Sequence, residues 1–301
     1  MRTSVSIIEK AFEKARQAGR TPATSASVPP VKYVEGRPSS AEAARAPSPV
    51  PFSTGSKVLQ VDVARLMQRG LLPPEDMSKR MREEFRRIKW PLLDVALRRT
   101  QSTLERPNFI MVTSSVPSEG KTFCSFNLAL SMAREQDCTV LLVDGDMAKP
   151  KLTSALDLGE VPGLSEYLSQ PQLHLQDVVW KTNLDRIFVL PSGTPTSAGP
   201  ELLAGHRMEQ LLCELATLPN GFIVLFDSPP LLATSDARVL SRLVGQTALV
   251  VKADSTPRDA VKEAIGLVNK STALGVVLTQ NTGAFGSQYY GEYYAYGDGL
   301  E

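Results

Sequence analysis

The chain has 301 residues, 42% of them hydrophobic, enough for one large domain with appendages. Its formal net charge of +1 excludes the strong global field by which nucleic-acid binders and other charge-selected partners are recognised. Three scattered cysteines, Cys124, Cys138 and Cys213, argue against a disulfide framework or a zinc site, and two lone histidines, His174 and His206, against a histidine-based centre.

The N-terminus, MRTSVSIIEKAFEKARQ, lacks the apolar core of a signal peptide. Val5, Ile8, Phe12 and Ala15 recur at helical spacing, which predicts an amphipathic helix within residues 1–20. Residues 21–57 carry seven prolines among Ser, Thr and Ala and too few large apolar residues to offset chain entropy, so they read as a disordered linker. Nowhere do about 18 apolar residues run together, and no membrane span is expected. The ordered domain is expected over 58–282. It opens with a short element in LQVDVARLMQRGLL and continues with a charged helix over 75–104. In that helix EEFRRIK sets Glu83, Arg86 and Lys89 at i, i+3 spacing, as a solvated face or as a subunit contact.

From residue 108 short apolar runs alternate with helical segments: NFIMVTS, CTVLLVDG, RIFVLPS, GFIVLFDS, QTALVVKA and LGVVLT. The runs are apolar throughout, as strands buried on both faces must be. They predict an α/β fold with a doubly wound, mostly parallel sheet.

The stretch NFIMVTSSVPSEGKTFCSF reads strand, loop, helix. Its loop matches the phosphate-binding pattern G-x-x-x-x-G-K-[ST] with Ser115 in place of the first Gly. Ser115, Pro117, Ser118, Glu119, Gly120, Lys121, Thr122 and Phe123 are the candidate nucleotide-binding residues, since N–H groups in a loop and at a helix start wrap phosphate oxygens. Lys121 suits the β- and γ-phosphates, and the Thr122 hydroxyl suits Mg²⁺. Asp144 and Asp146 end a second apolar run, and Asp227 ends another before Ser228-Pro229-Pro230. Strand-ending aspartates are also ordinary turn formers. In the order loop, D-x-D, D-S-P-P, however, they assemble a site for ATP and Mg²⁺, with Thr122, Asp144, Asp146 and Asp227 as metal-facing groups.

The trio SSVPSEGKT, LLVDGDMAKP and LFDSPP resembles the bacterial tyrosine kinases of polysaccharide biosynthesis and export, P-loop kinases unlike the eukaryotic protein kinases. EEFRRIK is similar to their oligomerisation motif E-x-x-R-x-x-R with Lys89 for the last Arg, and LPSGTPTSAGPELLAGHRM to their L-P-x-G … P-x-E-L-L segment. IIEKAFEKAR and DMAKP are most similar to the exosortase-associated autokinase branch. The resemblance covers residues 79–301. It departs at Ser118, where the family often has Gly, and at Ala148 and Lys149, where it often has two Arg.

The resemblance implies a P-loop NTPase fold and ATP-dependent autophosphorylation. Lys121, Asp144, Asp146 and Asp227 would be catalytic, with either Asp144 or Asp146 taking the tyrosine proton. It also implies a homo-oligomeric ring built through Glu83, Arg86 and Lys89. A separate transmembrane activator, the chain-length determinant, would hold the protein at the inner membrane from the cytoplasm. Five of the seven tyrosines, Tyr289, Tyr290, Tyr293, Tyr294 and Tyr296, crowd a glycine-spaced tail over 283–301. They would be the phosphoacceptors, and the charge they gain would loosen the ring. The rival reading is a partitioning or division-site ATPase switch without tyrosine transfer. Those proteins carry a second lysine early in the loop, where this chain has Val116.

Overall fold

The computed structural model describes residues 57–100 and 103–280. The helix expected at 1–20, the linker except Lys57, and the tyrosine tail lie outside the described residues. In chain order the elements are β1 (Val58–Leu59), α1 (Val63–Gln68), α2 (Glu75–Ala96), β2 (Phe109–Ser114), α3 (Lys121–Ala133), β3 (Thr139–Asp144), α4 (Lys151–Ala155), α5 (Leu164–Ser169) and α6 (Leu175–Val178). They continue with β4 (Trp180–Thr182), β5 (Ile187–Leu190), α7 (Gly199–Leu203), α8 (His206–Ala216), β6 (Phe222–Asp227), α9 (Ser235–Leu240), β7 (Gln246–Lys252), α10 (Arg258–Leu267) and β8 (Ala273–Thr279).

All six apolar runs are strands. In β2 and β6 every residue is buried, because helices cover both faces of the sheet. The strands form one sheet in the order β1-β4-β5-β3-β6-β2-β7-β8. Every pairing is parallel except β4 with β5. Strands β3, β6 and β2 are neighbours, so the loops and carboxylates at their C-terminal ends meet at one edge. The register pairs Asp144 with Asp227. Gly221 sets up the entry to β6 at φ +90°, where a Cβ would come within 2.0 Å of the Asp137 carbonyl.

Helix α3 lies between the sheet and α2 and is buried nearly all round. Its Phe126, Leu128 and Met132 join Ile110, Val112, Val140, Leu142, Ile223 and Leu225 in one core, which Leu66, Phe85 and Leu93 of α1 and α2 close. Each such side chain contributes about 1.5–3 kcal/mol of transfer free energy. Because α3 begins at the phosphate loop, this packing also fixes the loop.

Two expectations change. The charged helix ends at Ala96, not at residue 104, because Arg98 turns left-handed at φ 54° and the Arg99 amide folds back onto the Asp94 carbonyl at 2.9 Å. Lys89 is not on the face shared by Glu83 and Arg86. Arg86 is exposed and pairs with Glu83 at 2.9 Å, whereas Lys89 is 3% exposed. Its ammonium donates to the Ser131 carbonyl at 2.8 Å and to Glu135 Oε1 at 2.6 Å, tying α2 to the last turn of α3. Six residues from Glu83 is about 120° around a helix, enough to turn Lys89 inward. Among the described residues, no helix is long and apolar enough to cross a membrane.

Candidate nucleotide site

The phosphate loop leaves β2 at Ser114 and enters α3 at Lys121. Gly120 sits at the helix N-cap with φ 92°, and no side chain caps the helix. The first amides of α3, those of Lys121, Thr122 and Phe123, therefore lack intrahelical acceptors and form an anion-favouring helix start. The Phe123 side chain turns away and meets Phe85 at a ring separation of 6.0 Å, so only its backbone belongs to the site. Ser115 replaces Gly at no conformational cost, because it is not among the residues of positive φ. Ser118 is, at φ 68°, which accounts for the glycine often found there in the family the sequence resembles. Pro117 and Ser118 are exposed, and Pro117 has no N–H to offer a phosphate.

Glu119 braces this loop. Its buried carboxylate accepts from the Val116 amide at 2.7 Å, from the Lys252 amide at 3.2 Å and from the Thr256 hydroxyl. Its own carbonyl accepts from the Thr279 hydroxyl at 2.7 Å. The loop is thus tied to the ends of β7 and β8. The Glu119 side chain serves as a strut rather than as a phosphate contact, and the Val116 amide is taken up by it.

The two carboxylates of D-x-D diverge. Asp146 lies 3.2 Å from the Lys121 ammonium, both nearly buried, and its other oxygen accepts from the Lys149 amide at 3.0 Å. Asp144 is sealed. Its Oδ2 accepts from the Thr153 amide at 2.8 Å and hydroxyl at 2.7 Å, and its Oδ1 from the Asp146 amide at 3.2 Å. Asp227, across the register, accepts from the Ser125 hydroxyl at 3.0 Å on Oδ1, and its buried Oδ2 has no hydrogen-bond partner.

Burial, and then the charge of Asp227, push the Asp144 carboxyl up to about 7 despite its three hydrogen bonds. Burial raises Asp227 as well, against the pull of Lys121, Thr122 and Ser125. The neighbouring Cys124 thiol is pushed up to about 12 by burial and then by Asp227, so it is an inert core residue.

Two buried, in-register carboxylates, one of them with an oxygen that has no hydrogen-bond partner, fit a hard cation. Among the described residues no three His, Cys, Asp or Glu side chains converge into a metal cage.

The structure brings together Lys121, Thr122, Asp144, Asp146 and Asp227, together with the loop from Ser115 to Gly120. Sequence reasoning missed Ser125, Thr153, Thr256 and Thr279, which hold Asp227, Asp144 and the loop. No local pattern marks them, because each acts across strands that are distant in sequence.

No family model matches the sequence. The chain is 29% identical over 215 residues to the tyrosine-protein kinase YwqD of Bacillus subtilis (strain 168), which covers 70% of this chain and 86% of that protein. It is 32% identical over 192 residues to the putative tyrosine-protein kinase CapB of Staphylococcus aureus, covering 63% of this chain and 81% of that one. The chain belongs to the bacterial tyrosine-protein kinases. The fold agrees: the kinase domain of the Escherichia coli tyrosine kinase Etk superposes with a TM-score of 0.52 at 29% identity, over 65% of this chain and 83% of that domain. This tyrosine kinase therefore binds nucleotide at a P-loop built on a mostly parallel sheet.

Proposed function

We propose that this kinase transfers the γ-phosphoryl group of ATP to the tyrosines of its own C-terminal segment, Tyr289, Tyr290, Tyr293, Tyr294 and Tyr296, from one subunit to the next. The transfer would regulate exopolysaccharide chain length and export. One observation carries the reading. The Thr279 hydroxyl donates to the Glu119 carbonyl at 2.7 Å, so β8, the last strand among the described residues, ends against the phosphate loop. Tyr289 follows Gln280 by nine residues, a contour of about 30 Å at most. The tyrosines are therefore tethered within reach of the nucleotide edge, their own or that of an adjoining copy. The half-buried Glu83 and the exposed Arg86 are the contacts we assign to that copy, with Lys89 bracing them from behind.

In this reading Lys121 leaves Asp146 for the β- and γ-phosphate oxygens. The amides of Ser118, Glu119 and Gly120 and of the α3 start cradle the remaining oxygens. Thr122, Asp144 and Asp227 would hold Mg²⁺, which when bound offsets the charge on the β- and γ-phosphates. The tyrosine oxygen bonds to the γ-phosphorus as the bond to the β–γ bridging oxygen breaks, and ADP leaves with that electron pair. Asp146, released by Lys121, takes the tyrosine proton. Asp144 does not, because its Oδ2 is filled by two donors and its Oδ1 would be taken by the cation. A strong base is not required, since loose phosphoryl transfer depends on positioning and charge. A separate membrane protein would supply activation and place the kinase at the inner membrane.

The test is mass mapping after incubation with Mg²⁺ and ATP, beside a Lys121→Met control. No Lys or Arg follows Lys270, so trypsin releases the tail as one peptide, 271–301. Successive gains of about 80 Da per phosphoryl group are expected on that peptide and not in the control. ATP hydrolysis without such gains, even with the activator's cytoplasmic segment present, would refute tyrosine transfer and favour an ATPase switch.

A further inference from the structure

Thr153 lies nine residues beyond Asp144 on α4, in a stretch that matches no motif, yet it is 4% exposed and touches the most sealed carboxylate of the site. Its hydroxyl oxygen accepts from the Ser192 amide at 3.0 Å. The hydroxyl has one proton, and that proton goes to Asp144 Oδ2 at 2.7 Å. The Thr153 amide donates to the same oxygen at 2.8 Å. Oδ2 is thus doubly bonded and turned toward α4. Oδ1 keeps only the 3.2 Å contact from the amide of Asp146, the residue whose carboxylate meets Lys121. One side chain therefore takes its own position from the loop after β5, through Ser192, and passes it to the end of β3. Asp227 shows the complementary arrangement: Ser125 holds one oxygen and leaves the other bare.

We propose that Thr153 is a positioning residue of the transfer reaction, holding the Asp144 carboxylate so that a single oxygen, Oδ1, faces the divalent cation of the bound nucleotide. The proposal deepens the reading above and rests on it for the identity of the reaction. A hydroxyl pinned by a backbone amide orients a carboxylate more tightly than a mobile water, because rotation of the carboxylate breaks two hydrogen bonds at once. A purely structural role for Thr153, as packing beneath α4, requires its volume and not its hydroxyl.

Thr153→Val keeps the volume and removes the hydroxyl, whereas Thr153→Ser keeps the hydroxyl. The measurement is equilibrium binding of a fluorescent ADP analogue with EDTA and across a Mg²⁺ titration, alongside melting temperature and tail phosphorylation. For Thr153→Val the metal-free affinity is expected within about twofold of wild type, while the Mg²⁺-dependent gain and kcat each fall about tenfold or more, the range seen when a ligand's supporting hydrogen bond is lost. Thr153→Ser is expected to restore both to within about threefold. An unchanged Mg²⁺ gain in Thr153→Val would overturn the proposal. So would equal loss of metal-free and Mg²⁺-dependent binding, or a failure of Thr153→Ser to rescue at unchanged melting temperature. A wild-type chain that binds with this Thr153 dependence but phosphorylates no tyrosine would sink the proposed reaction and leave the positioning role standing.

Discussion

Lys89 is the residue at which helix-face arithmetic and three-dimensional packing give opposite expectations, so its replacement is the most informative. Its ammonium holds Glu135 at 2.6 Å and the Ser131 carbonyl at 2.8 Å, with 3% of the side chain exposed against 30% for Glu135. Lys89→Met keeps the aliphatic stem and removes the charge. Breaking a buried ion pair from one side costs about 3–5 kcal/mol, but here the orphaned Glu135 is nearly a third exposed and recovers water, so about 2–3 kcal/mol is expected. For a domain of this size that is a fall in melting temperature of about 5–10 °C. Calorimetry at two protein concentrations, with Glu135→Gln and the double variant closing a mutant cycle, measures it. The cycle should return a coupling, since the two side chains share one contact. Arg86→Ala, which removes an exposed pair worth about 0.5 kcal/mol, should leave the melt almost unmoved. If Lys89→Met melted like wild type but changed the oligomeric state while Arg86→Ala did neither, the buried placement of Lys89 would be wrong.

The Asp144–Asp227 pair predicts the pH dependence of the nucleotide-free protein. A carboxyl raised to about 7 when folded binds more protons in the native than in the unfolded state between the ordinary carboxylate range and 7. Its contribution is therefore fully present at acid pH and is lost as pH rises through about 7. Asp227→Asn should flatten that decline and raise the nucleotide-free melting temperature at pH 8 while abolishing phosphorylation. Parallel melting curves for the two proteins from pH 4 to 8 would refute it. Gly120 is at φ 92°, and a Cβ added there would have its nearest neighbours 3.8 Å away in Thr279, so Gly120→Ala meets backbone strain and not a clash. A cost of about 1–2 kcal/mol in the bound loop geometry should weaken ADP about tenfold and leave the fold intact. Unchanged affinity in a nucleotide titration would show that the loop does not need that conformation.

The sheet was legible because burial on both faces forces apolar residues at every position, a signal that survives without knowledge of neighbours. Strands β1 and β4 carried no such signal. They are two and three residues long at one side of the sheet, include the exposed Lys181, and exist because they pair with each other and with β5. The early end of α2 was equally hidden. Arg98 and Arg99 prolong its charge pattern, and the stop comes from a left-handed backbone at Arg98, which arginine composition does not announce.

The site divides along the same line. Asp144, Asp146 and Asp227 could be read because they stand where buried runs end, and Lys121 and Thr122 because they open the helix after a loop that leaves one, and strand ends are where a parallel sheet meets its ligand. Their supports could not, because support is a property of strand order. Ser125 reaches Asp227 only because β6 lies beside β2, whose loop starts α3, and Thr153 meets Ser192 only because β5 lies beside β3. Glu119 shows the limit most clearly. Its position inside the phosphate loop argues for a phosphate contact, whereas its carboxylate is consumed by Val116, Lys252 and Thr256. An acidic side chain facing a triphosphate would repel it. Folded back as a strut, the same charge stiffens the loop and leaves the field at the helix start positive.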